Sequence, residues 1–133
     1  MLRPLKLKDK INFLFFAKDY NISPNLFRDF INQKKLAFVS EEHDSINGLI
    51  FVEHDDKDYL KLVASSKKIV NNLLKIFFWN YKKPIHAKID ISDKNGFILK
   101  NNGFRIIDKQ ENTFILHYNP NTKGKRYVKR NHR

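Results

Sequence analysis

The sequence predicts an α+β protein with one mixed β-sheet and helices on both faces of that sheet. Two observations lead to this fold class. Three apolar segments joined by short polar turns occupy residues 36–64, which predicts an antiparallel meander. A strand, a helix and a second strand then follow between residues 59 and 91, and this order predicts a parallel βαβ crossover.

The N-terminal third is expected to contain one short strand and two helices. Residues 2–7 are typical of an edge strand, where a proline is tolerated. Residues 9–20 are rich in Phe, Leu and Ile and predict a largely buried helix. Ser23 and Pro24 predict the N-cap and first residue of a second helix. The Phe-rich face of that second helix favours core packing over a DNA-binding helix-turn-helix.

The meander is predicted to have strands at residues 36–41, 46–54 and 59–64, joined by two polar turns. Gly48 lies inside the second of these strands. A glycine in a strand interior indicates a bulge or a close approach by a neighbouring segment.

The crossover helix is predicted over residues 67–81, because its apolar residues recur at helical spacing. Ser65 and Ser66 precede it as N-cap candidates. Residues 85–91 alternate between apolar and polar, which predicts a strand with one buried face. A further helix is expected from Ser92 to Asn102, ended by Gly103, and two short strands complete the chain.

This order of elements, from Leu2 to Tyr118, resembles that of the GNAT superfamily, the Gcn5-related N-acetyltransferases. The most specific local match is KNNGFRII, in which Gly103 and Phe104 follow the helix after the crossover. The resemblance implies a GNAT-like domain over residues 1–118, followed by a basic tail over residues 119–133. It also implies acetyl-CoA as cofactor and transfer of an acetyl group to an amine.

The resemblance places the cofactor's pyrophosphate at the turn before the crossover helix. A helix N-terminus suits this anion because it offers unpaired N–H groups and the positive end of the helix dipole. Lys68 and Val70 replace the two small residues of the family's glycine-rich signature, and Val70 is expected to crowd a phosphate. The implied cofactor-binding residues are Val63, Ser65, Ser66, Lys67 and Lys68.

The family often uses a tyrosine as general acid, and the corresponding position here is Leu99, which cannot donate a proton. Candidate catalytic residues are Glu53, His54 and His86. Glu53 and His54 are also typical of solvated residues at a strand end, and His86 of a surface histidine. The chain lacks Cys and its five histidines have no metal-binding spacing, so we expect no metal site.

The formal net charge is +12, and half of it lies in residues 119–133. This tail predicts contact with nucleic acid or with a protein assembly, the alternative being a solvated tail. Its cationic residues are Lys123, Lys125, Arg126, Lys129, Arg130 and Arg133. No apolar run approaches 18 residues, so we expect no membrane partner.

Two functions follow from these expectations. The first is an active N-acetyltransferase with an atypical cofactor loop. The second is a non-catalytic GNAT-fold component of a larger assembly, such as a bacteriophage virion, because small GNAT-like proteins occur in phages. The abundance of Lys, Asn and Ile is typical of an A+T-rich genome and fits such a source. The expected location is therefore the cytoplasm or a virion.

Overall fold

The computed structural model describes residues 1–33 and 35–120 of the 133-residue chain. Within these ranges, seven strands form one sheet. The strands are β1 (Leu2–Pro4), β2 (Ala37–Glu42), β3 (Ser45–His54), β4 (Asp58–Ala64), β5 (Ile85–Asp90), β6 (Arg105–Gln110) and β7 (Thr113–Tyr118). The helices are α1 (Lys10–Asp19), α2 (Asn25–Asn32), α3 (Lys67–Asn80) and α4 (Asn95–Asn101), and a 3-10 turn (Leu7–Asp9) precedes α1.

The sheet combines an antiparallel meander with one parallel crossover, as the sequence predicts. The strand order is β1-β2-β3-β4-β5-β7-β6. Strands β4 and β5 are parallel, whereas every other neighbouring pair described is antiparallel. Helix α3 connects β4 to β5, so the predicted βαβ unit is confirmed.

Two hydrophobic clusters cover opposite faces of the sheet, which confirms that helices lie on both sides. Helices α3 and α4 pack on one face, with Leu73, Leu74 and Phe77 fully buried. Helices α1 and α2 pack on the other face, where Phe13 and Phe30 meet the β2–β3 hairpin. Burial of these large side chains is the main favourable contribution to folding.

Two helix starts differ from the predicted ones by a few residues. Helix α4 begins at Asn95 rather than Ser92, because aspartate side chains capture the preceding amides. Ser92 N donates to Asp90 Oδ1 and Asn95 N to Asp93 Oδ1, both at 2.9 Å, which holds the chain in turns. The cap predicted at Ser23 is wrong, because helix α2 begins at Asn25 with Pro24 at the cap position and no side-chain cap.

The structure confirms both features predicted at Gly48, a bulge and a close approach by a neighbouring segment. The β2–β3 register shifts between Ser40 and Glu41, which makes Asn47 an extra residue in β3. A Cβ atom on Gly48 would lie 2.6 Å from Ile69 Cγ2 and 2.9 Å from Leu73 Cδ1. The missing side chain therefore allows α3 to pack directly on β3.

The predicted tail contacts fall outside the described residues. This concerns Lys123, Lys125, Arg126, Lys129, Arg130 and Arg133. Among the helices that the structure describes, none has both the length and the apolar character needed to cross a bilayer.

Candidate functional site

A wedge opens between β4 and β5, the two parallel strands at the centre of the sheet. They are paired at a single position, where Tyr59 lies beside His86. Beyond this point β4 follows β3 as far as the Gly48–Ala64 pair, while β5 follows β7 as far as the Asp90–Thr113 pair. The two strands therefore separate towards their carboxyl ends.

The N-terminus of α3 lies at the mouth of this wedge, directly after β4. Ser66 is the N-cap, and its Oγ accepts a hydrogen bond of 3.3 Å from Ile69 N. The amides of Lys67 and Lys68 occupy the first turn, where a helix offers no backbone acceptor. The positive end of the helix dipole lies at the same helix terminus, and this combination attracts an anion.

Replacing Ser66 with alanine is expected to destabilise the protein by about 1 kcal/mol, because the amide of Ile69 loses its cap. Chemical denaturation monitored by circular dichroism measures the change. Ser23→Ala is the matched control, since no side chain caps α2. A loss for Ser23→Ala equal to that for Ser66→Ala would contradict the assigned cap.

A groove of about 530 Å³ runs between the start of α3 and helix α4. One wall is Ala64 with the following residues through Lys67, and Lys94 adds a second cation on the opposite side. Asn102 Nδ2 donates to Asn71 Oδ1 at 3.2 Å and so ties α4 to α3. The α4 side of the groove is lined by Lys94, Asn95, Phe97, Ile98 and Asn101.

A second shallow basic surface continues from the groove along α3. It is lined by Lys67, Lys68, Asn71, Asn72 and Lys75. Cations and amides therefore follow the outer side of the helix for about two turns. The groove and this surface together suit an elongated ligand that carries several phosphates.

Comparison with solved structures gives the fold its name. The GNAT-family acetyltransferase of Bacillus cereus ATCC 10987 matches with a TM-score of 0.72 and 15% identity, over 90% of this chain and 96% of that chain. The ribosomal-protein-alanine N-acetyltransferase of Brucella melitensis matches with a TM-score of 0.70 and 10% identity, over 88% and 98%. This chain has the GNAT fold.

A third GNAT-fold neighbour was solved with a bound ligand. The PaiA N-acetyltransferase of Thermoplasma acidophilum, in complex with coenzyme A, matches with a TM-score of 0.61 and 18% identity, over 90% of this chain and 98% of that chain. No protein-family model matches the chain, and no curated protein sequence does. The likeness is therefore one of fold.

The sequence placed five residues at the cofactor loop of the GNAT fold, and three of them line the groove. These are Ser65, Ser66 and Lys67, whereas Lys68 lies on the adjoining basic surface. Val63 packs against the cluster of α1 and α2, on the other face of the sheet. The amide of Ser65 donates to Asn47 O at 3.1 Å, so Ser65 offers a ligand its hydroxyl rather than its N–H.

Val70 and Leu99, two of the three departures from the GNAT pattern, are both core residues. Each is 1% exposed and belongs to the cluster beneath α3 and α4. Val70 does not line the groove, so the expected crowding of a phosphate by its side chain is not seen. Leu99 likewise does not line the groove.

Glu53 and His54 lie at the β3–β4 turn, at the opposite end of β4 from the groove. Glu53 pairs with Tyr59, which is about 16 Å along β4 from Ala64. His54 Nδ1 lies 2.5 Å from Asp58 Oδ1, and Glu53 Oε1 lies 3.8 Å from Lys61 Nζ. Their candidate catalytic role stays a prediction, and the structure does not bring them to the groove.

His86 lies at the closed end of the wedge, on the sheet face that carries α1 and α2. Its ring centroid is 4.7 Å from that of His117 and 6.1 Å from that of Tyr59. Burial lowers the pKa of His86, and the neighbouring His117 and Lys57 lower it further. The lowered pKa favours the neutral imidazole, and the catalytic role of His86 stays a prediction.

The groove residues of α4 were not identified from the sequence. Lys94, Asn95 and Phe97 belong to no recognised motif, and Phe97 is 74% exposed. The predicted topology carries one signal for these residues. The carboxyl ends of parallel strands lie at the same edge of a sheet, so the helices that follow β4 and β5 begin close together. In the part of the chain that the structure describes, no group of three or more metal-binding side chains is found.

Proposed function

We propose that this protein binds an acyl-coenzyme A in the groove between α3 and α4 and transfers the acyl group to an amine. The observation that carries the proposal is the wedge between β4 and β5, with a basic helix N-terminus at its mouth. A coenzyme A-bound neighbour of the same fold supports the ligand class.

The physical match is one of charge and shape. The pyrophosphate would accept hydrogen bonds from the amides of Lys67 and Lys68, and the Lys67 and Lys94 ammonium groups would add charge. The pantetheine chain would extend into the separation of the strands, where unpaired β4 backbone groups can bind its amides. An amine acceptor would approach from the face that carries His86.

Lys67→Glu is expected to weaken acetyl-CoA binding about tenfold or more, because the substitution places a carboxylate beside the pyrophosphate. Isothermal titration calorimetry of the full chain measures the effect. Lys83→Glu, an equal charge change at an exposed loop position, is the control and should bind as the wild type does. Absence of heat at millimolar acetyl-CoA for the wild type would refute the proposed ligand.

A non-catalytic role is the second candidate function. The side chains that line the groove support it. Among the described residues that line the groove, none carries a phenol, imidazole or carboxylate that would protonate the departing thiolate. The absence of the signature glycines from the loop before α3 also supports a non-catalytic role. A structural or docking component of an assembly such as a phage virion would need the fold alone.

Release of free thiol from acetyl-CoA, with a panel of primary amines, separates the two candidates. An active enzyme gives release that depends on the amine and falls in a His86→Gln variant. Tight acetyl-CoA binding without any release would favour the non-catalytic role. Both roles are compatible with the proposed location in the cytoplasm or a virion.

We also propose that residues 1–118 form the folded domain and residues 119–133 a separate basic tail that contacts nucleic acid or an acidic protein. Six cations without a neighbouring acid support this. Each phosphate contact releases a counterion, so binding through the tail weakens steeply with salt. Deleting residues 123–133 should flatten that salt dependence in filter binding to duplex DNA, and an unchanged dependence would exclude the tail.

A further inference from the structure

Helix α1 is apolar on its outer side as well as on its inner side. Phe13, Phe16 and Ala17 are buried against the sheet. On the opposite side, Leu7 in the preceding turn, Ile11 and Phe15 are 69%, 69% and 67% exposed. Helices that cover a sheet normally present polar residues to solvent, so this outer side calls for a separate explanation.

The exposed apolar residues form a continuous feature. Ile11 and Phe15 are four residues apart and therefore lie along one side of the helix, with Leu14, 39% exposed, beside them; Leu7 is exposed in the turn that leads into this helix. We name these four residues the α1 ridge. A hollow of about 230 Å³ between α1 and α2 is lined in part by Leu14.

Cations surround the α1 ridge. Lys10 and Lys18 lie on α1, Lys6 and Lys8 lie in the segment before it, and Arg28 lies on α2 beside Leu14; all five are exposed. None of them forms a salt bridge within residues 1–33 and 35–120. Asp19 is the exposed carboxylate of α1, whereas Asp9 is buried against Arg3. The border of the ridge is therefore positively charged and suits an anionic surface.

This charge decides between possible occupants of the ridge. A second copy of the chain would bring the same cations to the same border, and the C-terminal tail would add six more. Both would be repelled. An anionic bilayer needs no matching shape, because lipids rearrange around apolar side chains.

We propose that the α1 ridge docks this protein on the surface of an anionic membrane. Leu7, Ile11 and Phe15 enter the boundary between headgroups and acyl chains, while Lys8, Lys10 and Lys18 contact lipid phosphates. Lysine stems cover apolar surface and leave the ammonium groups at the headgroups. The sequence led us to expect no membrane partner because nothing in it spans a bilayer, and surface docking has no such requirement.

Cosedimentation of the full chain with sucrose-loaded vesicles tests the proposal. Wild-type protein should bind vesicles of phosphatidylcholine and phosphatidylglycerol at a 3:1 ratio, and bind pure phosphatidylcholine vesicles about tenfold more weakly. Ile11→Asp and Phe15→Asp should each weaken binding to the anionic vesicles at least tenfold. Lys10→Glu should reduce the preference for anionic lipid.

Two exposed positions outside the ridge provide controls. Trp79→Asp removes an equally exposed side chain from α3, and Lys83→Glu repeats the charge change elsewhere. Both should bind vesicles like the wild type, and thermal melting checks that every variant is folded. Equal loss in Trp79→Asp and Ile11→Asp would overturn the proposal, because binding would then not depend on the ridge.

Two further outcomes would replace the membrane with another occupant. If sedimentation velocity shows a dimer that Ile11→Asp converts to a monomer, the ridge is an interface between copies. If the wild type ignores anionic vesicles but binds an acidic amphipathic peptide through Ile11, the partner is a protein. Neither result would affect the proposed acyl-coenzyme A site, which lies on the opposite face of the sheet.

Discussion

Asp9→Ala is expected to lower the free energy of unfolding by about 3–5 kcal/mol, the largest effect we predict for a single substitution. The Asp9 carboxylate is 2% exposed and accepts two hydrogen bonds from the Arg3 guanidinium, at 2.7 and 2.6 Å. It also accepts a hydrogen bond from Lys6 N at 2.8 Å. Removing it leaves a nearly buried guanidinium whose remaining salt-bridge partner, among residues 1–33 and 35–120, is Glu41.

The same carboxylate should make stability depend on acidity. Hydrogen bonding from Arg3 holds the pKa of Asp9 below its ordinary value near 3.8, helped by the Lys6 amide and opposed by burial. A group with a lowered pKa stabilises the folded state fully above its unfolded pKa. That stabilisation is lost as the pH falls through the folded pKa, so the loss occurs below about pH 4.

Urea denaturation between pH 7 and pH 2 measures both effects. The Asp9→Asn variant keeps the size of the side chain but cannot ionise, so its unfolding free energy should change less in this range. Glu41→Gln is the matched control, because Glu41 is 24% exposed and its contact with Arg3 is 3.2 Å. A cost for Glu41→Gln as large as that for Asp9→Ala would contradict the central role of Asp9.

Gly48→Ala is expected to destabilise the protein by about 1–3 kcal/mol, whereas the same change at Gly96 should be neutral or stabilising by up to about 1 kcal/mol. A methyl group on Gly48 would meet Ile69 Cγ2 at 2.6 Å. Ile69 and the fully buried Leu73 belong to a helix packed on the strand, so their side chains, or α3 with them, must shift to make room.

Gly96 provides the control for this pair because it lies in α4 with space around it. Its added Cβ would meet Ile89 Cγ2 at 3.6 Å, an ordinary contact, and alanine favours the helix. Thermal and urea unfolding of both variants measure the difference. Similar destabilisation at the two glycines would show that the close approach of α3 to β3 does not limit the size of residue 48.

A shift of α3 would also reach the proposed ligand site, since Lys67 and Lys68 begin that helix. Gly48→Ala should therefore weaken acetyl-CoA binding, although residue 48 lies at a distance from the groove. Gly96→Ala should leave Lys67 in place. Titration of the two variants with acetyl-CoA tests whether the seating of α3 is coupled to the groove.

The sequence by itself determined the order and type of the elements and the cap at Ser66. These depend on residues a few positions apart: alternation marks β5, spacing of three and four marks α3, and Gly103 with a φ of 100° ends α4. Such signals come from residues close together in the sequence. They predict the elements correctly because the tertiary fold favours the same local conformations.

Only the tertiary structure decided which side chains share the groove and which are buried. Val70 and Leu99 looked like site positions in the sequence, yet both turn into the core, while Lys94 and Phe97 line the groove without any motif. The physical reason is that the rotation of a helix on a sheet is set by packing between distant segments, such as α3 on Gly48. Sequence spacing gives the period of a helix but not the direction in which each side points.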